Sequence, residues 1–154
     1  MSTALLDVNV LIALLWPTHE HYDDAHSWFI ARGRTARWAT CPLTELAFVR
    51  IVSNPGFSAD ALAPAEALSL LERNLAHPGH EFWADDVGLV GAVGPLAGRL
   101  QGHRQLTDAY LLALATRRRG VLATFDGGLR ALAGGERAAG LQLVPTGRTP
   151  RARR

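Results

Sequence analysis

Two kinds of apolar segment alternate along the chain. Short apolar runs predict buried strands, at about residues 3–6, 37–40, 81–84, 120–124 and 141–144. Longer segments with apolar residues at helical spacing predict helices, and proline or glycine residues bound most of them, at about 9–16, 19–32, 42–53, 64–76, 105–118 and 128–132. The glycine-rich stretch 88–102 predicts one or two short helices. Strands and helices therefore alternate over nearly the whole chain.

This alternation predicts an α/β fold, a three-layer sandwich in which helices cover both faces of a central, mostly parallel sheet. A chain of 154 residues has the length of one domain. We expect residues 1–146 to form that domain. Residues 147–154 carry four arginines and are expected to be a flexible basic tail.

Composition limits the class of protein. Hydrophobic residues make up 48% of the chain and charged residues 19%, which favours a compact fold over disorder. No apolar run approaches the ~18 residues that span a bilayer, and Met1-Ser2-Thr3 lacks the basic region of a signal peptide. We therefore expect a cytoplasmic protein without membrane contact. A single cysteine, Cys41, excludes an intramolecular disulfide and a thiolate-rich zinc site.

The basic residues are all arginine, and their total is sixteen. Arginine binds phosphate groups through two parallel hydrogen bonds, so this bias suits a nucleic-acid partner. A codon bias of the source genome explains it equally well. The composition alone therefore does not assign a partner.

Four acidic residues stand in apolar surroundings: Asp7, Glu45, Asp108 and Asp126. Asp7 and Asp126 each follow a predicted strand, whereas Glu45 and Asp108 each lie near the start of a predicted helix. In a parallel sheet these positions share one edge, where ligands bind. A buried unpaired charge costs several kcal/mol, and converging carboxylates are usually neutralised by a divalent cation with oxygen ligands. The pattern predicts one acidic cleft.

Three of the acids also have a plain structural interpretation. Glu45 in a first helical turn complements the helix dipole. Asp108 is compatible with a helix start capped by Thr107, and Asp126 with a turn before two glycines. Asp7 has no turn chemistry that would explain it, so it supports the cleft most strongly.

Other enzyme classes fit the sequence poorly. A haloacid-dehalogenase-type phosphotransferase needs an acid two residues after its nucleophile, where this chain has Asn9. A response-regulator receiver needs a lysine, and the chain contains none. It also contains neither a G-x-S-x-G motif nor a phosphate-binding G-x-x-x-x-G-K-[ST] loop.

The chain resembles the PIN-domain ribonucleases, and among them the VapC-type toxins of VapBC toxin–antitoxin pairs that are abundant in mycobacteria and related actinobacteria. The resemblance covers nearly the whole chain, and all four acidic positions of the family are present in order. It rests on the segments Leu5–Leu11 (LLDVNVL), Cys41–Arg50 (CPLTELAFVR), Thr107–Ala115 (TDAYLLALA) and Ala123–Asp126 (ATFD). The resemblance implies a PIN-like version of the predicted sandwich.

It also implies a metal-dependent endoribonuclease. One or two Mg²⁺ ions, or Mn²⁺, would be held by Asp7, Glu45, Asp108 and Asp126, with Asn9 and Thr124 as polar support. Metal-activated water would then cleave RNA and leave 5′-phosphate and 3′-hydroxyl ends. Asp7 and Asp108 are expected to be direct ligands, whereas Glu45 and Asp126 are expected to act through water.

The partners that the resemblance implies are an RNA substrate, a second copy of the chain in a homodimer, and a cognate VapB-type antitoxin that wraps the first helices. Aromatic residues are candidates to line the antitoxin groove, although their spacing is equally typical of a helix core: Trp16, Tyr22, Trp28 and Phe29. The alternative function is a non-catalytic PIN-like module that binds RNA or protein and retains the acidic cleft.

Overall fold

Five short parallel strands form one sheet in the computed structural model, which describes residues 1–147 and all of their side chains except that of Glu136. The strand order is β3-β2-β1-β4-β5. The chain order reverses between β1 and β4, the point at which parallel sheets open a crevice for ligands. The strands are β1 (Ala4–Leu6), β2 (Trp38–Thr40), β3 (His80–Phe82), β4 (Val121–Thr124) and β5 (Leu141–Leu143).

Helices connect these strands and cover both faces of the sheet. They are α1 (Val8–Leu15), α2 (Tyr22–Ala31), α3 (Pro42–Val52), α4 (Pro64–Leu75), α5 (Leu89–Val93), α6 (Leu106–Arg117) and α7 (Leu129–Arg137). Short 3₁₀ segments lie at Gly94–Arg99, His103–Gln105 and Ala138–Gly140. The prediction of an α/β sandwich with a parallel sheet is therefore confirmed.

Two hydrophobic clusters lie on opposite faces of the sheet. On one face, Leu6 packs with Phe48 of α3 and with residues of α1 and α4. On the other face, Leu5 packs with Leu111 of α6 and with residues of α5 and α7. Because successive strand residues point to opposite faces, the three buried residues of β1 are divided between the clusters: Ala4 and Leu6 belong to one and Leu5 to the other. The central strand is buried on both sides, which explains its continuous apolar run.

A close approach between layers requires glycine at position 120, just before β4. A Cβ atom there would lie 2.5 Å from the Trp83 ring and 2.6 Å from the Thr3 carbonyl oxygen. Residue 120 therefore has no room for a side chain, and this contact fixes how β4 enters the sheet beside β1.

Several predicted boundaries differ from the structure, and two of them have a local explanation. The helix expected over 128–132 extends to Arg137, and it is kinked at Gly134, whose φ of 59° is a left-handed conformation that favours glycine. The strand expected over 81–84 spans His80–Phe82 instead. It is an edge strand with little buried surface, so apolar residues mark its position only weakly.

Two further expectations concern the surroundings of the domain. Within residues 1–147, the helices are too short or too polar to cross a lipid bilayer. The predicted basic tail lies outside the described residues from position 148 onward, and its role stays a prediction.

Candidate active site

Asp7 occupies the end of the central strand. Its backbone N–H donates to the Ala123 carbonyl of β4 (3.0 Å), and its Oδ1 accepts a hydrogen bond from the Val8 N–H (2.7 Å). It is the N-cap of α1. Asp7 therefore has a local structural role that the sequence analysis did not assign to it, because its carboxylate caps a helix. The cap leaves Oδ2 free to accept from another donor.

Thr124 ends β4 and holds this second oxygen. Its fully buried hydroxyl donates to Asp7 Oδ2 (2.9 Å) and accepts from the Asp126 N–H (3.1 Å). One side chain thus links the ends of two neighbouring strands. The expected supporting residue Thr124 lies directly beside Asp7.

Asp108 lies in the first turn of α6 and is half-buried. Burial, followed by the charges of Asp7 and Asp126, raises the pKa of Asp108 to about 7. Among the described residues, no donor forms a hydrogen bond with its side chain to oppose this shift. A carboxyl in this setting is about half protonated at neutral pH, and a cation would favour its ionised form.

Asp126 joins the same electrostatic group from the loop after β4. Its Oδ1 accepts a hydrogen bond from the Gly128 N–H (2.8 Å), so the turn interpretation also holds. Burial raises the pKa of Asp7, two hydrogen bonds to its carboxylate oppose the rise, and the Asp126 charge adds to it. The Asp126 charge therefore acts on both Asp7 and Asp108, and we call these three residues the acidic cleft.

Glu45, the fourth acid, follows the neighbouring strand β2. It lies in the first turn of α3, after β2, and its Oε2 accepts a hydrogen bond from the Thr40 hydroxyl (3.4 Å). Burial raises the pKa of Glu45 and the Thr40 hydroxyl lowers it, without a contribution from the other described acids. Charge effects thus link Asp7, Asp108 and Asp126, whereas Glu45 lies near the end of the neighbouring strand with Thr40 as its hydrogen-bond donor.

Thr40 is a site residue that the sequence analysis did not single out. It is fully buried at the end of β2, as Thr124 is at the end of β4. The usable signal was a threonine ending an apolar strand just before a helix that carries a candidate acid. Asn9, in contrast, is exposed on α1 and forms no recorded side-chain hydrogen bond within residues 1–147. Its expected role beside the metal stays a prediction.

The donor set of this edge suits a hard divalent cation. Its ligands would be carboxylate oxygens, which Mg²⁺ prefers. No arginine forms an ion pair with any of the four acids within the described part of the chain. In the same residues no three His, Cys, Asp or Glu side chains converge tightly enough to form a ready-made ion site.

An apolar cavity of about 190 Å³ lies on another part of the surface, between α1, α2 and α4. Of the four aromatic residues expected to line a groove, Phe29 lines this cavity, while Trp28 is buried in the core. The remaining lining residues are Leu11, Leu14, Leu15, His26, Trp38, Asn74 and His77. Trp16 contacts a second cavity of about 520 Å³, next to Leu15 and Leu62.

Comparison with known proteins places this geometry in context. The profile of the family described as PIN domain matches residues 4–135. The chain is 51% identical over 131 residues to ribonuclease VapC38 of Mycobacterium tuberculosis, covering 84% of this chain and 89% of that protein. It is 46% identical over 129 residues to ribonuclease VapC39 of the same species, covering 82% and 91%.

Solved structures also share the fold. A structure of VapBC2 from Rickettsia felis bound to a promoter DNA fragment has a TM-score of 0.60 at 13% identity, covering 92% of this chain and 96% of that chain. A DNA-bound VapBC from Salmonella typhimurium has a TM-score of 0.55 at 22% identity, covering 93% and 97%. At such low identities these two structures establish the fold alone.

Proposed function

Because this chain belongs to the PIN-domain family, we propose that it is a Mg²⁺-dependent endoribonuclease, with Mn²⁺ as an alternative ion. The observation that carries the proposal is the acidic cleft, in which burial and neighbouring acid charges raise the pKa of Asp7 and of Asp108, and in which no arginine of residues 1–147 forms an ion pair with these acids. Relatives that are 41–51% identical and are named ribonucleases support it.

Each acid has a distinct part in the proposed chemistry. Asp7 and Asp108 would bind the ion directly, and Glu45 and Asp126 through water. A bound Mg²⁺ supplies Lewis acidity and lowers the pKa of a bound water. Asp7 is held by its helix cap and by the Thr124 hydroxyl, so its Oδ2 has a fixed direction. Asp108 has to lose its proton before it binds a cation, and ion binding therefore releases protons.

The proposal extends to a toxin of a type II toxin–antitoxin pair that is neutralised by a VapB-type antitoxin. The two similar structures described as VapBC support this partner, as do the VapC relatives. The cavity lined by Phe29 offers an apolar surface for a helix or strand of the antitoxin. We also propose that the chain forms a homodimer.

RNA cleavage tests the central claim. The purified chain is incubated with a mixed RNA pool and Mg²⁺, with and without EDTA, beside the variants Asp7→Asn and Asp60→Asn. Asp60 is an exposed aspartate outside the cleft, so its variant is the matched control. We expect cleavage that EDTA and Asp7→Asn abolish and Asp60→Asn preserves. Cleavage in EDTA or with Asp7→Asn would refute the mechanism, whereas no cleavage would favour the non-catalytic binding module.

The partner is tested separately. The chain is co-expressed with the small protein encoded next to it, and complex formation and RNA cleavage are measured. We expect a stable complex without ribonuclease activity. A protein that neither binds the chain nor silences its ribonuclease activity would refute the toxin assignment but not the ribonuclease assignment.

A further inference from the structure

A chain of hydrogen bonds reaches Glu45 from the edge strand β3. His80 Nε2 lies 2.7 Å from the Thr40 hydroxyl oxygen, which in turn lies 3.4 Å from Glu45 Oε2. The second distance is longer than the roughly 2.5–3.0 Å usual for O–H···O bonds, so this hydrogen bond to the carboxylate is weak. His80 is thus connected to a candidate active-site acid that it does not itself hydrogen-bond.

The sheet register explains how these residues meet. Trp38 of β2 is paired with His80 of β3. Thr40 lies two residues after Trp38, so both side chains point to the face on which α3 and α4 pack. The imidazole packs against the Trp38 ring in a tilted arrangement, with 4.7 Å between ring centroids. Its orientation toward Thr40 is therefore set by packing as well as by the hydrogen bond.

Thr40 has a single hydroxyl hydrogen, which determines which group donates and which accepts in each of the two hydrogen bonds. If Thr40 donates to Glu45, its oxygen can only accept from His80, and His80 must carry a hydrogen on Nε2. A neutral ring in that tautomer is sufficient. Burial lowers the pKa of His80, and the groups that face the ring alter it further: Glu81 and the Leu75 backbone raise it, and His77 and Arg37 lower it.

We propose that His80 is a positioning residue for Glu45 and acts through the Thr40 hydroxyl. Without the Nε2 hydrogen, the Thr40 hydrogen turns toward the ring and Glu45 loses its donor. Within the described residues, Thr40 is the one side chain that donates to Glu45. The inference rests on the proposed function, because it assumes that Glu45 belongs to the cation-binding acids.

Three variants test the inference. His80→Leu removes the ring donor, and Thr40→Val removes the hydroxyl at nearly constant volume. His80→Gln keeps an amide N–H near the position of Nε2. Thr116→Val is the matched control, because the Thr116 hydroxyl donates only to the Leu112 carbonyl within α6. Thermal unfolding of each variant checks that the fold is retained.

Two readouts are measured on each variant: kcat and KM for RNA cleavage, and the Kd for Mn²⁺ alone, obtained by electron paramagnetic resonance of the free ion. We expect Thr40→Val to lower kcat by up to about tenfold with little change in KM, the effect of one lost hydrogen bond to a charged group. His80→Leu should lower kcat less, because Thr40 can still donate to Glu45 but loses the partner that orients its hydroxyl. Each should also weaken Mn²⁺ binding. The double variant should be no worse than Thr40→Val alone, and His80→Gln should lose less kcat than His80→Leu.

Additive losses in the double variant would overturn the inference, as would equal losses in His80→Gln and His80→Leu. A wild-type chain that binds Mn²⁺ without cleaving RNA would refute the proposed function, and the pattern of Mn²⁺ affinities would still decide the role of His80. A chain that neither cleaves RNA nor binds Mn²⁺ would overturn both.

Discussion

The Thr124 hydroxyl donates a hydrogen bond to Asp7 Oδ2 across 2.9 Å, joining two residues that lie 117 positions apart in the chain. Both groups are buried, and each also holds a neighbouring backbone N–H. The contact therefore has a structural part, which locks the ends of β1 and β4, and an electrostatic part, which stabilises the Asp7 carboxylate.

Replacing Thr124 by valine should destabilise the fold. The substitution keeps the volume but leaves Asp7 Oδ2 and the Asp126 N–H without their partner, a cost of about 1–3 kcal/mol for a buried polar group. Urea unfolding at pH 7 measures the loss. Thr124→Ser retains the hydroxyl and should lose less free energy of unfolding than Thr124→Val. Equal losses in the two variants would show that the methyl group, not the hydrogen bonds, determines stability.

Asp108 should make the metal-free protein less stable at high pH. Its folded-state pKa of about 7 exceeds the unfolded value of 3.8, so the folded state binds more protons between these two values. The free energy of unfolding therefore falls as the pH rises from about 4 to 7. The asparagine variant cannot ionise and should lack this loss.

The measurement compares urea unfolding of wild type and Asp108→Asn in EDTA at several pH values. We expect the variant to gain stability relative to wild type as the pH rises through 7, and to reach a constant difference above it. A difference that is independent of pH would mean that Asp108 ionises with an ordinary pKa.

Two glycine-to-alanine substitutions should have opposite effects. At Gly120 the new Cβ would overlap the Trp83 ring and the Thr3 carbonyl, so Gly120→Ala should lower the free energy of unfolding by about 1–3 kcal/mol or more. At Gly91, which lies within α5, a Cβ meets nothing within 4 Å. Gly91→Ala should stabilise the protein by up to about 1 kcal/mol. Unfolding curves of both variants measured under one condition test this contrast.

The fold was predictable because each element carries its own local signal. Pro42 and Pro64 begin helices at the positions that their missing N–H groups favour. The buried run Ala4–Leu6 identifies the central strand. The helix α2 was predicted three residues too early, because the segment His19–His21 is polar and does not differ in composition from a first helical turn.

The candidate site was only partly predictable. The rule that carboxyl ends of parallel strands share an edge was sufficient to expect Asp7 near Asp126. The link of Glu45 to His80 through Thr40 depends on the register of β2 and β3. Register is set by long-range packing, and no motif in the sequence encodes it.

Cation affinity should depend on pH through Asp108. A divalent ion binds the ionised carboxylate, so below the Asp108 pKa of about 7 each unit of pH lost should weaken Mn²⁺ binding up to about tenfold. Above pH 8 the affinity should level off. Electron paramagnetic resonance of free Mn²⁺ measures this slope at about pH 5.5, 6.5 and 8, which lie on both sides of that pKa. Asp108→Asn should bind more weakly and with a much flatter pH dependence, because the variant has lost the proton that competes with the ion. If wild type and variant showed the same slope, another acid, most directly Asp7 with its own raised pKa, would be the group whose proton the cation displaces.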